Sequence, residues 1–236
     1  MILIKKSSLK VIVWVSCFFI SVFLPFFISG CTSKAGIETD SSRKGAAVLS
    51  RIAVVPFQIV VPEEASVNTV RCPLSGTIFR TCKSSEGAEK IVEETFFRKL
   101  KDSKQFILIP TDRVGGVYRR ISIDSLKVNP LEILRKVGTE LGADGVVAGY
   151  VYRYREREGY PYSAEKPASV AFGIYLIRVN DGTLVWRGVF DRTQRSLLEN
   201  ILQVSSFFKS KGRWITAAEL SEIGIDEVLK NFPNLQ

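Results

Sequence analysis

Histidine is absent from this 236-residue chain, and methionine occurs once, at position 1. Without histidine there is no imidazole base and no imidazole metal ligand, so Ser-His-Asp and Cys-His machinery is excluded outright. Cysteine is scarce, with four in all, at positions 17, 31, 72 and 82. A structural zinc site usually takes four cysteine or histidine ligands. Glycine-rich phosphate cradles are missing too. "RVGGVYRR" carries Gly115-Gly116 beside arginines, but the pattern is too short for a cradle and reads as a plain turn. The carboxylates, such as Glu93-Glu94 and Asp124, are scattered, and adjacent acids on a helix point in different directions. No internal repeat is present. These absences exclude histidine-based catalysis, leave a metal short of ligands and point to no bound cofactor.

What is present starts at the beginning of the chain. The first ten residues carry Lys5, Lys6 and Lys10 and no acid. An apolar run follows from Val11 to Ile28, broken only by Ser16, Ser21 and Pro25. A basic segment, an apolar segment and small residues form the layout of a secretory signal. The run is nearly long enough to span a bilayer as a helix, so an uncleaved anchor is the rival reading. Pro25 and the small pair Ser29-Gly30 favour processing.

"ISGC", residues 28 to 31, resembles the bacterial lipobox, in which an aliphatic residue and two small residues precede an obligatory cysteine. The resemblance implies removal of residues 1–30 and acylation of Cys31, which becomes a lipid anchor to the membrane. Cys17 would leave with the signal. Thr32 follows Cys31 where an aspartate would signal inner-membrane retention, so the resemblance points to the outer membrane, facing the periplasm. Several acyl chains hold a protein at a membrane stably, each buried CH₂ adding ~0.8 kcal/mol. Removing the signal takes three of the 33 basic residues and no acid, leaving a mature charge of +6. That balance favours anionic surfaces, and export argues against nucleic acid as the partner.

Residues 31–50 are small, polar and charged, as expected of a flexible tether. Residues 51–192 read as one α/β domain. "RIAVVPFQIVV" (51–61) is a strand apolar on both faces. Residues 62–86 form an insertion. Ala88, Ile91, Val92, Phe96 and Leu100 have helical spacing, and "QFILIP" (105–110) is a short strand. Asn129 caps a helix with Pro130 at its first position and Gly142 at its end. "ADGVVAGYVYRYRERE" is a strand whose alternation puts Tyr150, Tyr152 and Tyr154 on one face and Val151, Arg153 and Arg155 on the other. "NDG" (180–182) joins two strands in a tight hairpin. The segment 193–236 should be helical, with one helix from 196 to 208 and another starting at Thr216, capped by Glu219. The expected fold is α/β: a mixed sheet with a parallel βαβαβ core and an antiparallel hairpin, packed by helices.

Three stretches, Ile52–Phe57, Gly142–Val151 and Asp181–Trp186, resemble motifs of exported bacterial domains. These include the amino-terminal domain of the Tol-Pal propeller protein, the curli-secretion lipoproteins and the lipoprotein activators of penicillin-binding proteins. The resemblance spans roughly residues 51–191. It implies a non-catalytic binding or assembly module for another envelope protein. A subunit of a secretion or transport assembly, a homo-oligomer among them, is the second reading, and a cell-wall hydrolase the third.

Two features stand out as candidate sites. "CPLSGTIFRTC" is bracketed by Cys72 and Cys82. In an oxidising compartment paired cysteines couple, so a disulfide leads over free thiols and over a metal. The bracketed residues Leu74, Ile78 and Phe79 are candidates for contact with a partner. "YVYRYREREGYPY" supplies the others: Tyr150, Tyr152, Arg153, Tyr154, Arg155 and Arg157, since tyrosine and arginine are enriched at binding hot spots.

Overall fold

The computed structural model describes residues 39–41, 49–64, 66–82, 84–124, 129–161, 163–194 and 213–233. The chain divides into two units, Met1–Ala35 and Gly36–Gln236, and every described residue lies in the second. The expected helix at 196–208 lies outside the described residues.

The elements run in the order β1 (Thr39–Ser41), β2 (Arg51–Val54), β3 (Gln58–Ile59), β4 (Thr69–Arg71), β5 (Ile78–Arg80), α1 (Ala88–Asp102), β6 (Ile107–Leu108) and α2 (Thr111–Asp124). They continue with α3 (Pro130–Leu141), β7 (Gly145–Arg155), β8 (Glu158–Tyr160), β9 (Ser163–Lys166), β10 (Ser169–Arg178), β11 (Leu184–Thr193) and α4 (Ala217–Leu229). The main sheet has the order β1-β11-β10-β7-β2-β6, with β3 beside β7 past the end of β2. β2 is parallel to β6 and to β7, while β7, β10 and β11 are mutually antiparallel neighbours. This is the expected mixed sheet. Thr39–Ser41, inside the segment expected as a tether, add a strand to the edge at β11.

Helices cover both faces. α1 and α4 pack on one face, where Phe96, Phe172, Trp186, Phe190 and Phe232 are buried. α2, α3 and the β4-β5 hairpin pack on the other, with Val114, Leu134, Phe79, Tyr152 and Tyr175. α3 has the expected ends: Asn129 Oδ1 accepts from the Leu131 N–H at 3.0 Å, and Gly142 adopts the left-handed conformation. α4 has the Thr216–Glu219 capping box.

α2 overturns the turn expected around Gly115-Gly116. Val114, Val117, Tyr118 and Ile121 recur at helical spacing and face the core. Glycine weakens a helix by about 1 kcal/mol per residue, but the buried stripe on this one outweighs that local preference.

The strand expected at 51–61 is interrupted. Ile52 pairs with Gly145, but Gln58 pairs with Tyr150, so one extra residue enters the strand between them. Pro56 has no N–H to offer a ladder. The Phe57 N–H is turned aside and donates to the Glu93 carboxylate at 2.9 Å. The Phe57 ring then lies over Gly149, where a Cβ would come within 2.4 Å of it. Gly149→Ala should therefore destabilise the fold by about 1–3 kcal/mol through overpacking, read as a lower urea midpoint at unchanged slope.

Burial raises the Glu93 pKa above the ordinary carboxylate value, with Glu94 and Glu89 adding repulsion and the Phe57 bond only partly opposing it. The folded state thus holds this proton more tightly than the unfolded state does. The stabilisation from Glu93 is complete at low pH and is lost as pH rises through the folded pKa. In Glu93→Gln that loss should vanish, so stability measured from pH 4 to 8 should fall less steeply than in the wild type.

Candidate functional site

The insertion between β3 and α1 folds back onto the sheet as the β4-β5 hairpin. Its register pairs Thr69 with Arg80, Val70 with Phe79 and Arg71 with Ile78. Alternation follows at once. Val70, Cys72 and Phe79 face the core, while Thr69, Arg71, Ile78 and Arg80 are exposed. Phe79 stacks on Tyr152 with ring centroids 3.9 Å apart and planes 5° from parallel. Leu74 is half-buried against the same core. Of the bracketed apolar residues, then, Phe79 and Leu74 are packed down and Ile78 is held out.

Cys72 and Cys82 are both free thiols, which corrects the expected disulfide. The register gives the reason. The Cys72 N–H donates to the Thr77 carbonyl at 2.8 Å, and the Thr81 N–H to the Asn68 carbonyl at 2.9 Å. Cys82 therefore lies five positions past the residue opposite Cys72, a separation of roughly 16 Å at ~3.3 Å per residue. A disulfide holds its Cα atoms at about 4.4–6.8 Å. Spacing in sequence suggested a closed loop, but the chain turns earlier, at Pro73–Gly76.

Cys72 instead joins a buried polar cluster. Its thiol donates to the Tyr175 hydroxyl at 3.2 Å and accepts from the Ser75 N–H at 3.4 Å. Tyr175 also lies 3.1 Å from both the Ser75 and Tyr152 hydroxyls. The two phenols meet above Gly173, where a Cβ would lie 2.8 Å from each oxygen. Burial pushes the Cys72 pKa up, but hydrogen bonding with Ser75, Tyr152 and Tyr175 outweighs it and leaves the thiol below its ordinary value. Burial drives the phenols of Tyr150, Tyr152 and Tyr175 well above theirs, so they stay neutral. With Cys72 only 1 % exposed, the cluster is a fastening without access for a substrate.

The Tyr-Arg strand is built differently from its alternation. In the β7-β10 pairing Arg153 is opposite Ala171 but Val151 is opposite Phe172, so Tyr152 is an extra residue, a β-bulge. The bulge turns Tyr154 to the α1/α4 face, away from Tyr150 and Tyr152. It also puts Arg153 on the hairpin side. Arg153 donates to the Ser169 hydroxyl at 2.7 Å, to the Arg80 carbonyl at 2.9 Å and to the Asp191 carboxylate. Tyr150, Tyr152, Arg153 and Tyr154 are all buried, so they shape the core and offer a partner no surface. Arg155 and Arg157 are half-buried and donate to the carbonyls of Pro167 and Gly159. Tyr160, in the small β8-β9 hairpin, is 78 % exposed. Cys31 lies outside the described residues.

The outward face of the insertion is thus Arg71, Ile78 and Arg80; of these, Ile78 was expected from sequence to face a partner and the two arginines were not. The period-2 alternation in "TVR" and "IFR" was the available signal. Among the described residues no group of three or more Cys, Asp or Glu is placed to hold a metal, and no helix is long and apolar enough to cross a membrane.

Two outcomes follow for the hairpin. Phe79→Ala should cost about 3–5 kcal/mol in urea unfolding, as expected for a buried aromatic ring lost from a core. Iodoacetamide should label Cys82 in the folded protein and Cys72 only on unfolding. An intact mass lower by two protons, with both cysteines protected, would contradict the free thiols.

No family model matches the chain, and no curated protein matches it. Solved structures do. The PelC dodecamer from Paraburkholderia phytofirmans is similar at 15 % identity and a TM-score of 0.47, over 85 % of this chain and 96 % of that one. Lipoprotein GNA1162 from Neisseria meningitidis is similar at 15 % identity and 0.41, over 69 % and 97 %. The LpoB C-terminal domain from Salmonella enterica is similar at 17 % identity and 0.38, over 64 % and 87 %.

Proposed function

We propose that this chain is a non-catalytic binding module, anchored to the outer membrane through lipid on Cys31, that engages another protein of the cell envelope. The observation that carries the reading is the clamped insertion. Its Cys72 thiol and the Tyr152-Tyr175 pair of the sheet beneath it are sealed together by contacts of 3.1–3.4 Å. Its other face presents Ile78, 59 % exposed, between Arg71 and Arg80. An apolar residue flanked by arginines on a rigid strand pair suits protein recognition, where aromatic and arginine contacts around a desolvated centre supply most of the energy. The lipobox resemblance at Ile28–Cys31 supplies the address.

The test has two parts. Cys31→Ala should abolish incorporation of labelled fatty acid and release the protein from membranes; retained labelling would refute the anchor. A photo-crosslinking residue at Ile78 should give one discrete adduct in cells, and the same residue at Ile91, on α1 across the sheet, should give none. Release of soluble fragments from cell-wall material by the purified protein would overturn the non-catalytic reading.

A further inference from the structure

Resting on that reading, a second surface is built at the opposite end of the insertion, along β3. β6 covers the outer edge of β2 for only two residues, Ile107 and Leu108, before the chain leaves at Pro110. Beyond that point no strand among the described residues lies beside the outer edge of β3. The Val60 N–H donates inward to the Val151 carbonyl at 2.9 Å. By alternation the backbone groups of Ile59 and Val61 point outward. No hydrogen bond to them is made among the described residues.

Two cavities adjoin this edge along consecutive residues. One of about 490 Å³ runs along Pro56–Gln58 beneath Tyr118 and Ile123 of α2. The other, of about 460 Å³, runs along Ile59–Pro62 against Val67 and Cys82 at the stem of the insertion. Together they follow a stretch of seven residues, roughly 20 Å of extended chain at ~3.3 Å per residue. Val61, Ile123 and Val67 line them and are 71 %, 64 % and 39 % exposed. The charges are sorted along the groove. Glu63, Glu64 and Glu86 lie at the Pro62 end, and none is in an ion pair among the described residues. Arg119, equally without an ion-pair partner, lies at the Pro56 end.

We infer that this edge accepts one extended segment of a partner protein as an added strand, apolar at alternate positions, basic at its end over Glu63, Glu64 and Glu86 and acidic at its end over Arg119. Main-chain bonds to Ile59 and Val61 give the segment its hold, and the apolar cavities choose its side chains. An unpaired strand edge is otherwise a liability that proteins cover or interrupt.

The test uses the full chain in detergent and two eight-residue peptides of alternating valine and threonine. Each carries lysines at one end and aspartates at the other, in the two chain directions. One of them should bind saturably, by fluorescence anisotropy, and slow hydrogen exchange at the Ile59 and Val61 amides. Methylating alternate peptide nitrogens should abolish binding, and Val61→Pro, which removes an outward N–H, should weaken it about tenfold or more. Val61→Glu, which keeps the N–H and spoils the apolar wall, should weaken it as well. No saturable binding by either peptide, or binding unchanged by the methylated nitrogens and both variants, would overturn the inference. If the adduct at Ile78 forms while the peptides fail, the groove alone falls. If the Ile78 adduct also fails, the binding-module reading falls with it.

Discussion

The Arg153 guanidinium holds four parts of the chain at one point. It belongs to β7, and its donors reach Ser169 on β10, Asp191 on β11 and the Arg80 carbonyl on β5. The reach works because Arg153, Ala171 and Asp191 are in register across three strands, and the small Ala171 lets the side chain pass. Hydrogen bonds to charged groups contribute about 1.5–3 kcal/mol each, more when the group is buried and has no water to fall back on. Arg153 is 9 % exposed. The bonds to Ser169 and Asp191 fix the guanidinium within the sheet, and the bond to the Arg80 carbonyl ties the insertion to it.

Two single-residue slips make this arrangement possible. The extra residue near Pro56-Phe57 moves Phe57 onto Gly149 and sends its N–H to Glu93. The bulge at Tyr152 brings Tyr152 and Arg153 to the same side, one to stack on Phe79 and the other to bond the hairpin backbone. In a regular strand the two would face opposite layers. The bulge therefore converts a strand that would only separate the layers into one that clamps the insertion.

This also explains what could be read in advance. The helix with Asn129, Pro130 and Gly142, the "NDG" hairpin and the Thr216 cap depend on neighbours within a few residues, and all were legible. α2 was legible in principle from Val114, Val117, Tyr118 and Ile121, but the glycine pair masked the stripe. The bulges were not legible, because each is fixed by a partner far along the chain: Glu93 for one and Phe79 with Arg80 for the other. Once the Tyr152 bulge is missed, the tyrosines and arginines of β7 are assigned to the wrong faces, and buried residues are taken for a surface. The cysteines failed for a related reason. Their sequence spacing suited a disulfide, but the hairpin register, set by Val70 against Phe79, separates them.

On this account the insertion is a platform fastened to the sheet through Arg153. Native-state hydrogen exchange tests it directly. In the wild type the amides of Cys72 and Thr81 should exchange as slowly as that of Ile174 in β10. In Arg153→Met, losing charged hydrogen bonds of ~1.5–3 kcal/mol should speed the hairpin amides by about tenfold or more while Ile174 changes far less. Hairpin amides that already exchange rapidly in the wild type, or that slow and speed in step with Ile174, would contradict the account.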